Sequence, residues 1–210
     1  MLLIIIAYSF AQNMLLWLNK VDQQMFLYIN RVLTNSFLDN VFPIWRDSQT
    51  WYPLYLFLFF FMLMNFGKKA WLWMLFFGLV IALCDKVSSG LFKDFFDRVR
   101  PCRDPQFGSY VRLLLNRCPS SGSFTSSHAA NHFGMTVFAV HTLKQYLGKR
   151  KQLLYLWPVS ICYAQVYIGV HYPFDVIGGA LLGYIIGYAT ANFYNRRFGP
   201  LTLLSAPTSS

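Results

Sequence analysis

Long apolar runs alternate with short polar segments along most of this chain. From residue 50 onward the apolar runs are Thr50–Phe66, Trp71–Leu91, Ser126–Leu147, Leu153–Val170 and Phe174–Tyr194. Each approaches the roughly 20 mostly apolar residues that an α-helix needs to cross a bilayer, so the pattern predicts five membrane-spanning helices. Met1–Leu18 is also apolar but is interrupted by Gln12 and Asn13. It lacks the basic start and small-residue cleavage site of a signal peptide, which leaves a sixth span or an interfacial anchor. Residues 20–49 differ, because Phe37, Leu38, Val41, Phe42 and Trp45 recur at helical spacing with polar residues between them. That is the pattern of an amphipathic helix, either lying on the membrane surface or packed on the bundle. The predicted fold class is all-α: a polytopic transmembrane bundle of five or six spans with an N-terminal interfacial amphipathic helix. The chain divides into anchor and interfacial helices at 1–49, a membrane core at 50–195 and a cytoplasmic tail at 196–210, which is expected to fray from about Gly199.

Composition agrees with a membrane protein of one domain, since 56% of the 210 residues are hydrophobic and 12% are charged. A net charge of +10 raises the question of nucleic acid, but the cations sit at span ends, so no nucleic-acid partner is expected. Lys68 and Lys69, then Lys149, Arg150 and Lys151, then Arg196 and Arg197 fall in loops that the predicted spans place on one face. The excess of Lys and Arg in cytoplasmic loops makes that face cytoplasmic. Residues 92–125 and the turn at His171-Tyr172-Pro173 then face outward. Cys102 and Cys118 bracket this polar loop, and whether they pair depends on the compartment it meets. Cys84 and Cys162 lie in apolar runs and read as inert small hydrophobes.

Three clusters on the outward side carry the candidate chemistry. In Lys93-Asp-Phe-Phe-Asp-Arg-Val-Arg100-Pro101, Lys93 and Arg100 stand seven residues apart, so two helical turns ending at Pro101 would put both cations on one face. A lysine and an arginine there can grip a phosphoryl group. Thr125-Ser126-Ser127-His128 opens an apolar run, with Ser126 a candidate N-cap, free backbone N–H groups suited to an anion, and His128 in the first turn. In His171-Tyr-Pro-Phe-Asp175, Pro173 favours a helix start, and a carboxylate four residues after a histidine can fix its tautomer and leave the other nitrogen free as a nucleophile. A metal is disfavoured, because Lys93 and Arg100 beside His128, His171 and Asp175 would oppose a cation. Asp85 and Lys86 interrupt an apolar run, where charges are costly, and read as structural or supporting groups. Asn131 and His132 are candidates for the site entrance, and His141 reads as a packed or interfacial histidine.

The order and spacing of these clusters resemble the type 2 phosphatidic acid phosphatase family. The family pattern runs K-x-x-x-x-x-x-R-P, then P-S-G-H, then S-R-x-x-x-x-x-H-x-x-x-D. Lys93, Arg100 and Pro101 match the first motif in full. Ser126 and His128 match the second, with Thr125 for its proline and Ser127 for its glycine; His171 and Asp175 match the third, with Ala164 for its serine and Gln165 for its arginine. The resemblance covers roughly residues 50–195. It implies a metal-free, cofactor-free hydrolase in which His171 attacks phosphorus, Asp175 orients it and His128 exchanges a proton with the leaving group. Lys93, Arg100, Ser126, Ser127 and Gln165 would hold the phosphoryl oxygens. It implies a lipid phosphate or diphosphate as the substrate, with the bilayer as partner and a bacterial inner (plasma) membrane as location. Undecaprenyl diphosphate and phosphatidylglycerol phosphate rank first, then lipid A phosphate, with phosphatidic acid also in range. Discharge of the phosphohistidine to an acceptor hydroxyl would make the chain a phosphotransferase instead. The neutral Gln165 also admits a non-catalytic lipid-phosphate binder or transporter.

Overall fold

The computed structural model describes residues 2–204; the expectations for Met1 and for residues 205–210 of the tail lie outside the described residues. Helices make up the architecture, with no strand among the described residues. They are α1 (Leu2–Leu27), α2 (Ser36–Trp45), α3 (Tyr52–Phe66), α4 (Lys68–Val87), α5 (Lys93–Phe96), α6 (Ser127–Thr142), α7 (Lys144–Leu147), α8 (Leu156–Tyr167) and α9 (Pro173–Phe198). A wider π-helical turn, Ser88–Phe92, joins α4 to α5, so that Lys68–Phe96 forms one continuous rod. That rod and α9 are each long and apolar enough to cross a membrane.

The other expected spans are shorter. Helices α3, α6 and α8 have 15, 16 and 12 residues, about 18–24 Å at 1.5 Å per residue. The expected run Ser126–Leu147 breaks at Leu143, whose backbone leaves the helical region, and the chain then turns through Gly148 at φ 55°. The expected run Leu153–Val170 becomes regular only at Leu156, after a tighter 3₁₀ stretch over Gly148–Tyr155.

Helix α1 merges the apolar start of the chain with residues 19–27 in one rod, and Tyr8, Phe10, Leu15, Leu16 and Trp17 remain exposed on it. Helix α2 starts at Asn35, whose side chain accepts the Leu38 N–H at 2.9 Å. Of the two placements open to its apolar face, packing on the bundle is the observed one. Leu38 and Phe42 sit against Tyr167, Ile168 and Val170, with the Phe42 and Tyr167 rings edge to face at 4.9 Å.

The basic loops meet at one end of the bundle. Lys69 donates to Thr202 Oγ1 at 3.1 Å, Tyr146 donates to the Leu201 carbonyl at 2.7 Å, and Leu204 N–H donates to Asn65 O at 2.8 Å. Leu201 is buried in the core formed by Met62, Phe66, Trp73, Phe138 and Tyr194. The chain from Gly199 to Leu204 therefore does not fray as its composition suggested. Burial of one leucine and three polar ties hold it down.

Helices α6 and α9 share the most extensive interface, and its cause lies in small residues. Gly179, Gly183 and Gly187 repeat every fourth position along one face of α9. A methyl group at these glycines would meet, in order, the backbone of Ser126, Ala130 and Gly134 on α6. Both sets rise together along the chain, so the two helices run parallel and their N-termini lie side by side. Without side chains on one face, the two backbones approach as in small-xxx-small membrane helix pairs. Gly134 is tight on its other side too, against Cys84 and Val80 of α4. Trp73 Nε1 reinforces that contact by donating to Thr142 Oγ1 at 2.8 Å.

Gly183→Ala puts its new carbon into the Ala130 carbonyl. Overpacking of this kind costs about 1–3 kcal/mol, so the thermal midpoint of the detergent-solubilised protein should fall by about 3–10 °C. Differential scanning fluorimetry checks this, and a variant that melts with the wild type rules out the close-packed seam.

Candidate active site

The parallel starts of α6 and α9 bring the second and third clusters together. Ser126 N–H donates to the Asp175 carbonyl at 3.0 Å, and Ser126 Oγ caps α6 by accepting from Ala129 N–H at 3.4 Å. The turn into α9 is tight. Gly169 adopts φ 95°, and a Cβ there would press on the Arg112 carbonyl at 2.8 Å; glycine satisfies both constraints. His171 follows, buried at 2% exposure.

Arg100 reaches this turn from the first cluster. Its Nη1 donates to the Val170 carbonyl at 3.1 Å and to His171 Nε2 at 3.0 Å, while Nε and Nη2 hold Ser121 O and Oγ at 2.8 and 3.1 Å. A guanidinium only donates, so His171 Nε2 is the acceptor and its proton sits on Nδ1. That nitrogen faces Asp175 Oδ2 at 3.6 Å, beyond a hydrogen bond but well within reach of the charge. Burial depresses the His171 pKa to about 4, although Asp175 opposes the shift. The imidazole is therefore neutral at neutral pH, with a lone pair on Nε2. Burial lowers Arg100 to about 10, which leaves it cationic.

Asp175 is completely buried and held by three donors. Arg98 Nη1 reaches Oδ1 at 2.7 Å, Tyr172 N–H reaches Oδ2 at 2.8 Å, and the Ser123 hydroxyl also donates to Oδ2. Arg98 in turn bridges to Asp22 of α1 at 2.7 Å, and Asp22 accepts the Phe174 N–H at the start of α9 at 2.9 Å. Burial alone would lower the pKa of Arg98, but the Asp175 and Asp22 charges outweigh it and raise the group above its ordinary value. The Arg98 guanidinium also lies 4.3 Å from the centre of the Tyr172 ring.

His128 stands in the first turn of α6, close enough to His171 for the charge of one to act on the other. Its Nε2 accepts from Arg46 Nη2 at 3.1 Å, and its carbonyl accepts from His132 Nδ1 at 2.8 Å. His132 is therefore buried one turn below, under Trp157 at 4.9 Å, and does not line the entrance. Its apolar, aromatic surroundings explain the difference.

The remaining expected residues divide. Lys93 has no hydrogen-bond or ion-pair partner among the described residues, and lies close enough to Arg100 and Asp175 to feel both charges. It does not share a helix face with Arg100. The helix ends at Phe96, Asp97 takes a left-handed conformation at φ 41°, and the chain runs extended to Arg100, because Arg98 turns inward to its two carboxylates. Ser127 hydrogen-bonds Ser88 and Ser89 at 2.9 and 3.0 Å, at the end of α4. Gln165 is fully buried near the end of α8 with neither end of its amide hydrogen-bonded. Asp85 is exposed. Cys102 and Cys118 are joined as a disulfide, which closes the loop carrying Arg103 and Arg112. A polar depression of about 410 Å³, lined by Arg98, Arg100, Arg103, Ser121 and Gly122, lies against Arg100. An apolar groove of about 350 Å³ runs between α3, α6 and α8 as far as Trp157.

Sequence reasoning did not single out Asp22, Arg46 or Ser123. Asp22 carried a usable signal, as a lone carboxylate near the end of a long apolar stretch.

The chain is similar to known proteins over most of its length. Residues 70–199 match the family model described as the PAP2 superfamily. The lipid A 4'-phosphatase of Porphyromonas gingivalis is 29% identical over 183 residues, 83% of this chain and 73% of its own length. That of Bacteroides thetaiotaomicron is 27% identical over 173 residues, 81% of this chain and 75% of its own length. The crystal structure of a transmembrane PAP2 type phosphatidylglycerolphosphate phosphatase from Bacillus subtilis superposes with a TM-score of 0.64 at 25% identity, covering 86% of this chain and 89% of that one. The chain is an integral membrane protein that belongs to the PAP2 superfamily.

Proposed function

We propose that this protein hydrolyses a membrane lipid phosphate by a metal-independent route through a phosphohistidine on His171. Its class as a phosphatase rests on the family and on the named relatives. The observation that carries the mechanism is the tautomer of His171. Arg100 donates to Nε2, Asp175 faces Nδ1, and the ring is neutral, so the nucleophilic lone pair lies beside a phosphate-binding cation.

In the first step His128 Nε2 takes up the proton of the phosphate monoanion, the His171 Nε2 lone pair attacks phosphorus, the bond to the lipid oxygen breaks, and His128 passes its proton to that oxygen. Asp175 balances the charge that grows on the imidazole. In the second step His128 takes a proton from water, whose oxygen attacks phosphorus and displaces His171 as phosphate leaves. Arg100, Lys93, the Ser126 amide and hydroxyl, and Ser127 at its edge offer donors to the phosphoryl oxygens. A charged Arg98 keeps Asp175 ionised and aimed.

The relatives and the groove support a ranking of substrates. Matches to two lipid A 4'-phosphatases put a lipid A phosphate first, ahead of phosphatidylglycerol phosphate and undecaprenyl diphosphate. The apolar groove suits an acyl chain that stays in lipid while its headgroup reaches the cations. We read five or six spans in a bacterial inner membrane, with helices in 1–49 anchoring a core at 50–195 and a cytoplasmic tail at 196–210. In this reading the site faces the periplasm or exterior. The disulfide suits an oxidising compartment, and the basic loops gather at the opposite end.

Two measurements test this. Purified protein in detergent and EDTA should release phosphate from a panel of lipid phosphates, fastest from lipid A, and His171→Ala should lower the rate by about a thousandfold or more. Release that EDTA abolishes, or that survives His171→Ala, contradicts the route; labelled acceptor in place of free phosphate would favour the phosphotransferase. Separately, NMR of ring-labelled histidine should show His171 neutral down to about pH 4. Between about 6.5 and that value the unfolded chain binds the extra proton, so this group's contribution to stability is complete above about pH 6.5 and falls as pH drops. A titration near 6.5 would overturn the buried neutral nucleophile.

A further inference from the structure

Gln165 brings no charge to the position where the family pattern has an arginine, and its buried amide is unpaired. A different arginine stands at the site. Arg46 directly follows α2, and its Nη2 lies 3.1 Å from His128 Nε2. Its Nε is buried with no hydrogen-bond partner. No carboxylate forms an ion pair with it among the described residues. The adjacent Asp47 instead accepts the Gln49 N–H at 3.1 Å. Arg46 is also close enough to Arg100 for the two like charges to interact. The charge of the exposed Asp47 acts on Arg46 without pairing with it, and a largely buried cation that no carboxylate pairs is costly unless an anion meets it.

The chain around Arg46 is firmly held. Trp45 Nε1 donates to Ser160 Oγ on α8 at 2.9 Å, and Trp51 Nε1 donates to the Trp45 carbonyl at 2.9 Å. The Trp45 and Trp51 rings meet edge to face at 4.6 Å, and Trp51 meets Trp157 of α8 at 5.2 Å. This ladder fixes both sides of Arg46 on the helix that carries Gln165.

We propose that Arg46 binds the substrate's phosphoryl oxygens and takes over the task that the family pattern gives to an arginine at position 165. The inference rests on the phosphatase reading above. A phosphoryl oxygen is a stronger acceptor for a guanidinium than a neutral imidazole is. Substrate therefore draws Arg46 away from His128 Nε2 and frees that nitrogen to take up the proton of the phosphate monoanion and pass it to the leaving oxygen. One side chain thus couples phosphate binding to the readiness of the acid.

The test uses the full chain in detergent, with inorganic phosphate as the probe for calorimetric binding and the best lipid phosphate for kcat/KM. R46Q should weaken phosphate binding and lower kcat/KM by roughly 10–100-fold with an unchanged thermal midpoint. Adding Q165R to R46Q should recover at least about tenfold of both, which a merely structural Arg46 would not allow. If R46Q does not fold, R46K carries the test, and Q165R should tighten phosphate binding in that background as well. Values for R46Q within about twofold of wild type, or a loss that Q165R does not repair in either background, overturn the proposal. The binding arm separates the two readings: Arg46-dependent phosphate binding without release from any lipid supports this proposal and sinks the hydrolase. Full turnover with an indifferent R46Q does the reverse.

Discussion

The close approach of α6 and α9 is the constraint on which the site depends. Three glycines at every fourth position of α9 remove the side chains that would hold the helices apart, and the backbone of α6 fills the space. Because the helices are parallel, the contact that makes the core also sets two helix N-termini next to each other. One start carries His128 and the other follows His171, and the hydrogen bond from Ser126 N–H to the Asp175 carbonyl ties them. Packing at the middle of the bundle thereby fixes the relative position of His171 and His128 at its end. Both N-termini also turn their partial positive charge to the same place, where an anion is stabilised without any further element.

Charge organises the layer around that seam. Arg98 lies between Asp22 and Asp175 at 2.7 Å from each, and forms a buried string of alternating charge. Those two carboxylates face four arginine and lysine side chains at the site, Arg46, Lys93, Arg98 and Arg100. The excess of cations is costly where water is scarce, and the phosphoryl group of the proposed substrate would offset it. The same string keeps Asp175 ionised behind His171. In the proposed reaction, orientation of His171 and attraction of the phosphate thus share one electrostatic arrangement, and removing any member of the string would disturb both.

Much of this was readable from residues alone, for reasons that differ by element. The run Trp71–Leu91 and the start of α9 at Pro173 follow from hydropathy and proline geometry, which are local. His171 and Asp175 were legible because their spacing is itself the contact. Lys93 and Arg100 were legible as cations but not as a pair on one face, since the helix ends at Phe96 and Asp97 takes a left-handed conformation. The break at Leu143 and the packed tail at Leu201 depend on tertiary contacts with no local mark. Ser123 is one serine among several in a polar loop, and nothing along the chain marks it as the donor to Asp175. The disulfide was an open alternative because spacing does not report distance.

The N-terminal segment reaches the site from outside the family core. The residues matched by the family model begin at 70, yet Asp22 on α1 and Arg46 after α2 both reach the site. Asn30 ties the same segment to the core by accepting Arg112 N–H at 2.8 Å and donating to Tyr167 O at 2.8 Å, and Asp39 pairs with Arg112 at 2.7 Å. A peripheral layer held this firmly can supply a charge as accurately as a core helix.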